Sequence, residues 1–123
     1  ESFYRFIERD LWKHKIEKQQ IRFEFTEAQL ANEHFSSDKV KLFSDMGIQI
    51  GIDDFGTSRS NITDLLDLPL AYIKIDHSFV HGKLSAEKIQ KLHTIIEISK
   101  ILGIDAIAEG IENETQMNAL ALE

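Results

Sequence analysis

An α/β fold with a parallel sheet is what this sequence predicts, and three observations carry the prediction. Four short segments have strand character, stretches with helical spacing separate them, and acidic residues gather where three of those four strands end. The order is α-β-α-β-α-β-α-β-α, which implies right-handed βαβ units with helices covering the sheet. Alternation alone does not separate a closed barrel from a doubly wound sheet. A complete (β/α)₈ barrel needs roughly 250 residues, so four strands in 123 residues amount to about half of one. No repeat, low-complexity tract or Pro/Gly/Ser linker divides the chain, which reads as continuous.

The elements follow in order. Residues 3–18 read as a helix, with Phe3, Phe6, Ile7 and Leu11 at helical spacing and charged residues between them. Ile21 to Thr26 alternates like a strand. Ser36 or Ser37 is the expected N-cap of a second helix carrying Val40, Phe43 and Met46, with Gly47 just past its end. Ile48 to Asp53 is the next strand, and a loop beginning at Asp53 leads to a short helix over Asn61–Leu66, stopped before Pro69. Ala71 to Asp76 is the third strand. Ser85 opens a longer helix with Ile89, Leu92, Ile96 and Leu102, closed by Gly103. Ile104 to Glu109 is the fourth strand, and a last helix begins at about Thr115.

Composition narrows the chemistry. There is no cysteine, which excludes disulfides and thiolate metal sites and leaves oxygen or imidazole ligands. No run approaches the ~20 apolar residues of a membrane span, so a soluble, cytoplasmic chain is expected. A formal charge of −7 argues against duplex nucleic acid as a partner, which requires basic surface. A small phosphodiester remains allowed where carboxylates recruit divalent cations, because bound ions invert the local charge.

The carboxylates give that idea a location. Glu24 and Glu27 lie around the first strand, Asp53 and Asp54 end the second, Lys74 and Asp76 belong to the third, and Glu109 and Glu112 follow the fourth. In parallel α/β folds the carboxyl ends of strands build the functional site, so residues distant in sequence can converge. Convergent carboxylates repel one another unless cations neutralise them, and Mg²⁺ or Mn²⁺ prefers such ligands. Two ions about 3.5–4 Å apart can activate water and stabilise a leaving oxygen. Singly, each of these acids is more often a helix cap or a surface charge; the joint pattern is the signal.

The motifs resemble those of the EAL domains. Phe23-Glu-Phe-Thr-Glu27 is similar to the family's E-x-T-E motif, and Ile52 to Thr57 is similar to its D-D-F-G-T loop. Tyr72 to Val80 resembles K-I-D-x-S-F-V, and Ile107 to Glu112 resembles A-E-G-V-E. The resemblance implies a partial parallel (β/α) barrel of the TIM type, with residues 1–123 as the central part of one EAL-like domain that lacks N-terminal and C-terminal strands. It implies metal-dependent hydrolysis of cyclic di-GMP to the linear dinucleotide with two Mg²⁺ or Mn²⁺ ions. By motif, Glu24 ligates the first metal, Asp53 bridges both, and Asp54 and Glu109 hold the second. Lys74 positions the nucleophilic water, Glu112 supports the site, and Glu27 braces the Asp-Asp-Phe-Gly loop. A homodimer and fused regulatory domains are implied as well. Two first-metal ligands of the family, a Glu on an early strand and the next strand's Asn, have no counterpart here, nor has its later Gln-Gly-Tyr segment.

Ser58 and Arg59 depart from the family's usual Gly and aromatic, which motivates an alternative: a non-catalytic relative that binds cyclic di-GMP or a protein partner. A metal-dependent barrel enzyme acting on carbon acids is a third reading, disfavoured by the four ordered motifs. His14, His34, His77, His81 and His93 make no convincing zinc set, and no phosphate-cradling glycine loop is present. Trp12, Phe3, Tyr4 and Phe6 are expected to pack a helix onto the sheet rather than stack a base. Half a barrel would expose sheet edges, so a longer parent protein is expected.

Overall fold

A computed structural model describes residues 3–30, 37–56 and 62–121. The sheet has four parallel strands: β1 (Arg22–Thr26), β2 (Gln49–Phe55), β3 (Tyr72–Ile75) and β4 (Asp105–Ala108). Their spatial order is their chain order, β1-β2-β3-β4. A doubly wound sheet reverses direction at a switch point, whereas a barrel sector steps one strand at a time. The described sheet steps one strand at a time throughout.

The helices are α1 (Phe3–Lys13), α2 (Glu27–Leu30), α3 (Ser37–Asp45), α4 (Ile62–Leu66), α5 (Ala86–Leu102) and α6 (Glu114–Ala121). Three of them hand the chain to the next strand through one device. At the end of α3 the Gly47 and Ile48 N–H groups donate back to the Ser44 and Phe43 carbonyls. Gly103 and Ile104 do the same to Lys100 and Ser99 after α5, and Lys15 and Ile16 to Trp12 and Leu11 after α1. This is the Schellman pattern, which needs a left-handed residue at its pivot. Gly47 and Gly103 supply it at φ 95° and 70°, as their sequence positions suggested, but the first pivot is Lys15 at φ 54°.

That pivot corrects the first helix, which ends at Lys13 rather than continuing to 18. A 3₁₀ turn over Lys18–Gln20 follows. The expected packing of Trp12 is also overturned, because its side chain is 84% exposed; Leu11, 5% exposed, is the buried anchor. Phe3 still meets the sheet layer, its ring centroid 6.0 Å from Phe23 and 5.7 Å from Phe43. The Tyr4 side chain, Ser36, Asn61, Ser58, Arg59 and His34 lie outside the described residues.

One sheet face is apolar and covered. Ile52, Ile73 and Ile75 pack with Leu65 of α4 and with Leu92 and Ile95 of α5, while Ile50 packs with Val40 and Phe43 of α3. Period-two alternation therefore sends Glu24, Gly51, Asp53, Tyr72 and Lys74 to the opposite face. At about 25 cal/mol per Å² of apolar surface removed from water, the covered face supplies the main drive for this half-layer. Among the described residues no helix is long and apolar enough to cross a membrane.

Candidate active site

The acidic residues lie on or just past neighbouring strands, Glu24 in the middle of β1, Asp53 and Asp54 near the end of β2 and Glu109 just past β4. In the register across the sheet, Glu24 faces Gly51, Gly51 faces Tyr72, and Tyr72 faces Asp105. Two residues further along β3, Lys74 pairs with Ile107, and Glu109 follows the end of β4. Asp53 pairs with Thr26 at the last rung of β1. The β2–β3 register then shifts between Ile52 and Phe55, and Asp54 within that irregularity has φ 54°. A bulge with a left-handed residue costs of order 1 kcal/mol and interrupts the period-two alternation, so that Phe55 returns to the apolar layer beside Ile75 and Asp54 stays out of it. The Asp54 N–H donates to Asp53 Oδ1 at 2.9 Å.

Lys74 is the hub. Its Nζ lies 2.9 Å from Glu109 Oε1, 3.1 Å from Glu24 Oε2 and 3.7 Å from Asp53 Oδ1, with the side chain only 17% exposed. The hydrogen bond to Glu109 does most to push Lys74 above the ordinary lysine value; burial opposes it, and Glu24 and Asp53 add to it. The ammonium is therefore fixed in its charged form. The second Glu24 oxygen, Oε1, accepts the Tyr72 hydroxyl at 3.1 Å. Burial, then the Glu24 contact, raises the Tyr72 phenol, so it stays a donor.

Asp54 belongs to a neighbouring group. Partial desolvation, then the carboxylates of Asp53 and Asp76, raise it above the usual aspartate value. Asp76 itself is 8% exposed, and burial alone would raise it. The Ser78 hydroxyl and N–H, followed by His77 and the Asp54 contact, bring it below the usual value instead.

Glu27 lies behind this face, 3% exposed, at the first position of α2. That one-turn helix was not read from the sequence. Thr26 and Gln29 cap it reciprocally, Gln29 N–H to Thr26 Oγ1 at 3.2 Å and Thr26 N–H to Gln29 Oε1 at 2.8 Å, and the Thr-x-x-Gln spacing was its available signal. From there Glu27 Oε2 accepts the Gly56 N–H at 2.9 Å. Gly56 has φ 101°, and a Cβ there would come within 2.6 Å of the Phe79 ring, so no side chain fits at that turn.

Glu112 stands apart from the Lys74 cluster, exposed, with Oε1 3.9 Å from His81 Nδ1. Its backbone N–H donates to Gln116 Oε1 at 2.7 Å, and Gln116 Nε2 donates to the carbonyls of Val80 at 2.7 Å and Gly82 at 3.4 Å. Gln116, 2% exposed, thus ties the segment after β4 to the segment after β3. Sequence reading missed both Gln116 and Tyr72. Only Gly51, a glycine inside a strand, hinted at a close approach there.

The donor chemistry fits a hard divalent cation: Glu24, Asp53 and Glu109 converge from three strands around one positive charge, and Asp54 adjoins them. Among the described residues no three acidic or imidazole side chains already meet in a ligand arrangement.

A parallel βα-barrel sector with an acidic cluster at its strand ends defines a class of enzyme-like domains. Within that class the chain belongs to the EAL domain family, whose model matches residues 1–122. It is 38% identical over 84 residues to the probable cyclic di-GMP phosphodiesterase PdeG of Escherichia coli (strain K12), covering 67% of this chain and 16% of PdeG. Among solved structures it is similar to the PaMucR phosphodiesterase in complex with c-di-GMP. The TM-score there is 0.87 with 28% identity, over 97% of this chain and 54% of that one. It is also similar to the manganese and cyclic di-GMP complex of Klebsiella pneumoniae BlrP1, at TM-score 0.81 and 25% identity, over 94% of this chain and 30% of that one. The four-stranded walk is accordingly a sector of the TIM-type barrel. The chain spans between 12% and 20% of the length of curated relatives it matches.

Proposed function

We propose that this chain is the central part of a single EAL domain that hydrolyses cyclic di-GMP to the linear dinucleotide with the help of Mg²⁺ or Mn²⁺. The observation that carries the reading is the convergence of Glu24, Asp53 and Glu109 on Lys74 Nζ within 3.7 Å, from four adjacent strands. The names of the phosphodiesterase relatives and the manganese in the BlrP1 complex support it.

Glu24 and Asp53 would hold one ion, and Asp53, Asp54 and Glu109 the other. When bound, such ions supply Lewis acidity that ionises water and offsets charge on phosphate oxygens. The chain's own groups do the rest. Asp53, paired with Thr26 at the last rung of β1, stands next in sequence to Asp54 and 3.7 Å from the Lys74 ammonium that also contacts Glu24. Lys74 stays an ammonium at neutral pH, so it donates hydrogen bonds to the attacking water and lowers the energy of negative charge developing beside it. Glu27 holds the backbone of the Asp53–Gly56 turn through the Gly56 N–H, so the two aspartates keep their orientation. The Glu112 backbone N–H, held by Gln116, anchors the loop that follows Glu109. The formal charge of −7 argues against duplex nucleic acid as a partner, and homodimerisation with fused regulatory domains belongs to the same proposal.

The test is cyclic di-GMP hydrolysis by the full-length protein containing this chain, with Mn²⁺ or Mg²⁺ supplied, beside Asp53→Asn and Glu109→Gln variants. Linear dinucleotide produced only with metal, and lost in both variants, is the expected result. Nucleotide binding with no turnover under any metal would overturn it in favour of a receptor.

A further inference from the structure

The contact across the middle of the sheet has a use that the acidic motif does not itself assign. Tyr72 is 4% exposed, yet its ring does not pack into the apolar layer; it lies on the carboxylate face, over β2. Gly51 makes that possible. A Cβ at Gly51 would come within 2.3 Å of the Tyr72 ring carbons Cε2 and Cζ and 2.8 Å from its hydroxyl oxygen, so any side chain there would displace the ring. Crossing β2 in this way, the phenol reaches β1 and donates to Glu24 Oε1, while Lys74 donates to Glu24 Oε2. The Arg22 guanidinium sits 5.4 Å from the Tyr72 ring centroid, on the side away from the strand ends.

The two donors to Glu24 differ in kind. Lys74 is a positive charge shared among three carboxylates and repels a cation approaching them. Tyr72 is neutral, so it neither repels a cation nor needs to leave, and its ring is fixed by the glycine slot. We propose that Tyr72 is a positioning residue that fixes the carboxylate plane of Glu24 for a divalent cation, and that Gly51 is its obligatory companion. The inference rests on the phosphodiesterase reading and deepens it. Partners that orient a metal-binding carboxylate typically contribute 10–100-fold to metal affinity.

The experiment is Mn²⁺ binding to the full-length protein by calorimetry without nucleotide, in wild type, Glu24→Gln, Tyr72→Phe and Gly51→Ala, with the thermal unfolding of each metal-free protein recorded alongside. Tyr72→Phe keeps the ring and removes only the hydroxyl. It is expected to weaken Mn²⁺ binding roughly 10–100-fold with a melting temperature close to wild type. Gly51→Ala pushes the intact Tyr72 away and is expected to weaken Mn²⁺ to a similar degree. The Gly51→Ala/Tyr72→Phe double variant should then be little weaker than either single one. Mn²⁺ affinity that depends on Glu24 but is unchanged by Tyr72→Phe would overturn the positioning role while leaving the phosphodiesterase reading intact. Affinity indifferent to Glu24→Gln would overturn both.

Discussion

Gln116→Ala removes a side chain that joins three backbone groups from two segments, and its cost can be worked from the geometry. The contacts from Glu112 N–H and to Val80 O are both 2.7 Å, and the contact to Gly82 O is a long 3.4 Å. A buried hydrogen bond contributes about 1–1.5 kcal/mol net, and a stranded buried partner costs at least that much. Counting the two short bonds and neglecting the third gives a loss of about 2–3 kcal/mol. At roughly 4 °C per kcal/mol for a domain of this size, the melting temperature should fall by about 8–12 °C. Gln116→Glu separates the two contacts, because a carboxylate accepts from Glu112 N–H but cannot donate to Val80 O; it should lose at least as much stability as Ala. Thermal unfolding followed by circular dichroism measures both, and amide exchange at Glu112 reports the local release. A Gln116→Ala variant within about 0.5 kcal/mol of wild type, with Glu112 still protected, would refute the reasoning.

Three other predictions test separate parts of the account. Lys15→Gly should stabilise the protein by about 0.5–1 kcal/mol, read from denaturant midpoints, because glycine removes the left-handed strain at the α1 pivot. Glu97 is held below the ordinary glutamate value, chiefly by the Lys100 ammonium 2.9 Å away. A depressed acid contributes stability above its unfolded pKa and loses it as pH falls through the folded one. Its carbon-detected NMR midpoint should therefore lie below that of a free glutamate and return to the ordinary value in Lys100→Ala. Glu27→Ala should reduce turnover about ten-fold or more and weaken Mn²⁺ binding with it, since it strands the Gly56 N–H and loosens the turn that orients Asp53 and Asp54.

What was legible in the sequence were features set by local rules. Gly47 and Gly103 announced left-handed helix ends, Ser85 announced the N-cap of α5, whose Oγ accepts the Lys88 N–H, and alternation placed all four strands. The approach of Asp53 and Glu109 near their strand ends was legible too, because parallel strands that neighbour one another in chain order align their ends, whereas Glu24 reaches the same group from the middle of β1. The end of α1 was not, since Lys15 carries no composition signal for φ > 0. Trp12 was misjudged because spacing identifies a helix face only if the helix orientation is known. The Tyr72–Glu24 and Gln116–Val80 contacts join residues 48 and 36 apart, so no window along the chain could show them. The bulge that keeps Asp54 out of the apolar layer belongs to the pairing of β2 with β3, which is likewise a property of two strands and not of one.

The most direct test of the central claim is the rate of cyclic di-GMP hydrolysis at saturating Mn²⁺ by the full-length protein carrying Lys74→Met. A loss of about 10²–10³-fold is expected, in line with removing one charged donor from a site of developing negative charge, together with retained nucleotide binding. Turnover within a few-fold of wild type would show that the hub of the Glu24, Asp53 and Glu109 cluster takes no part in the chemistry, and would contradict the account.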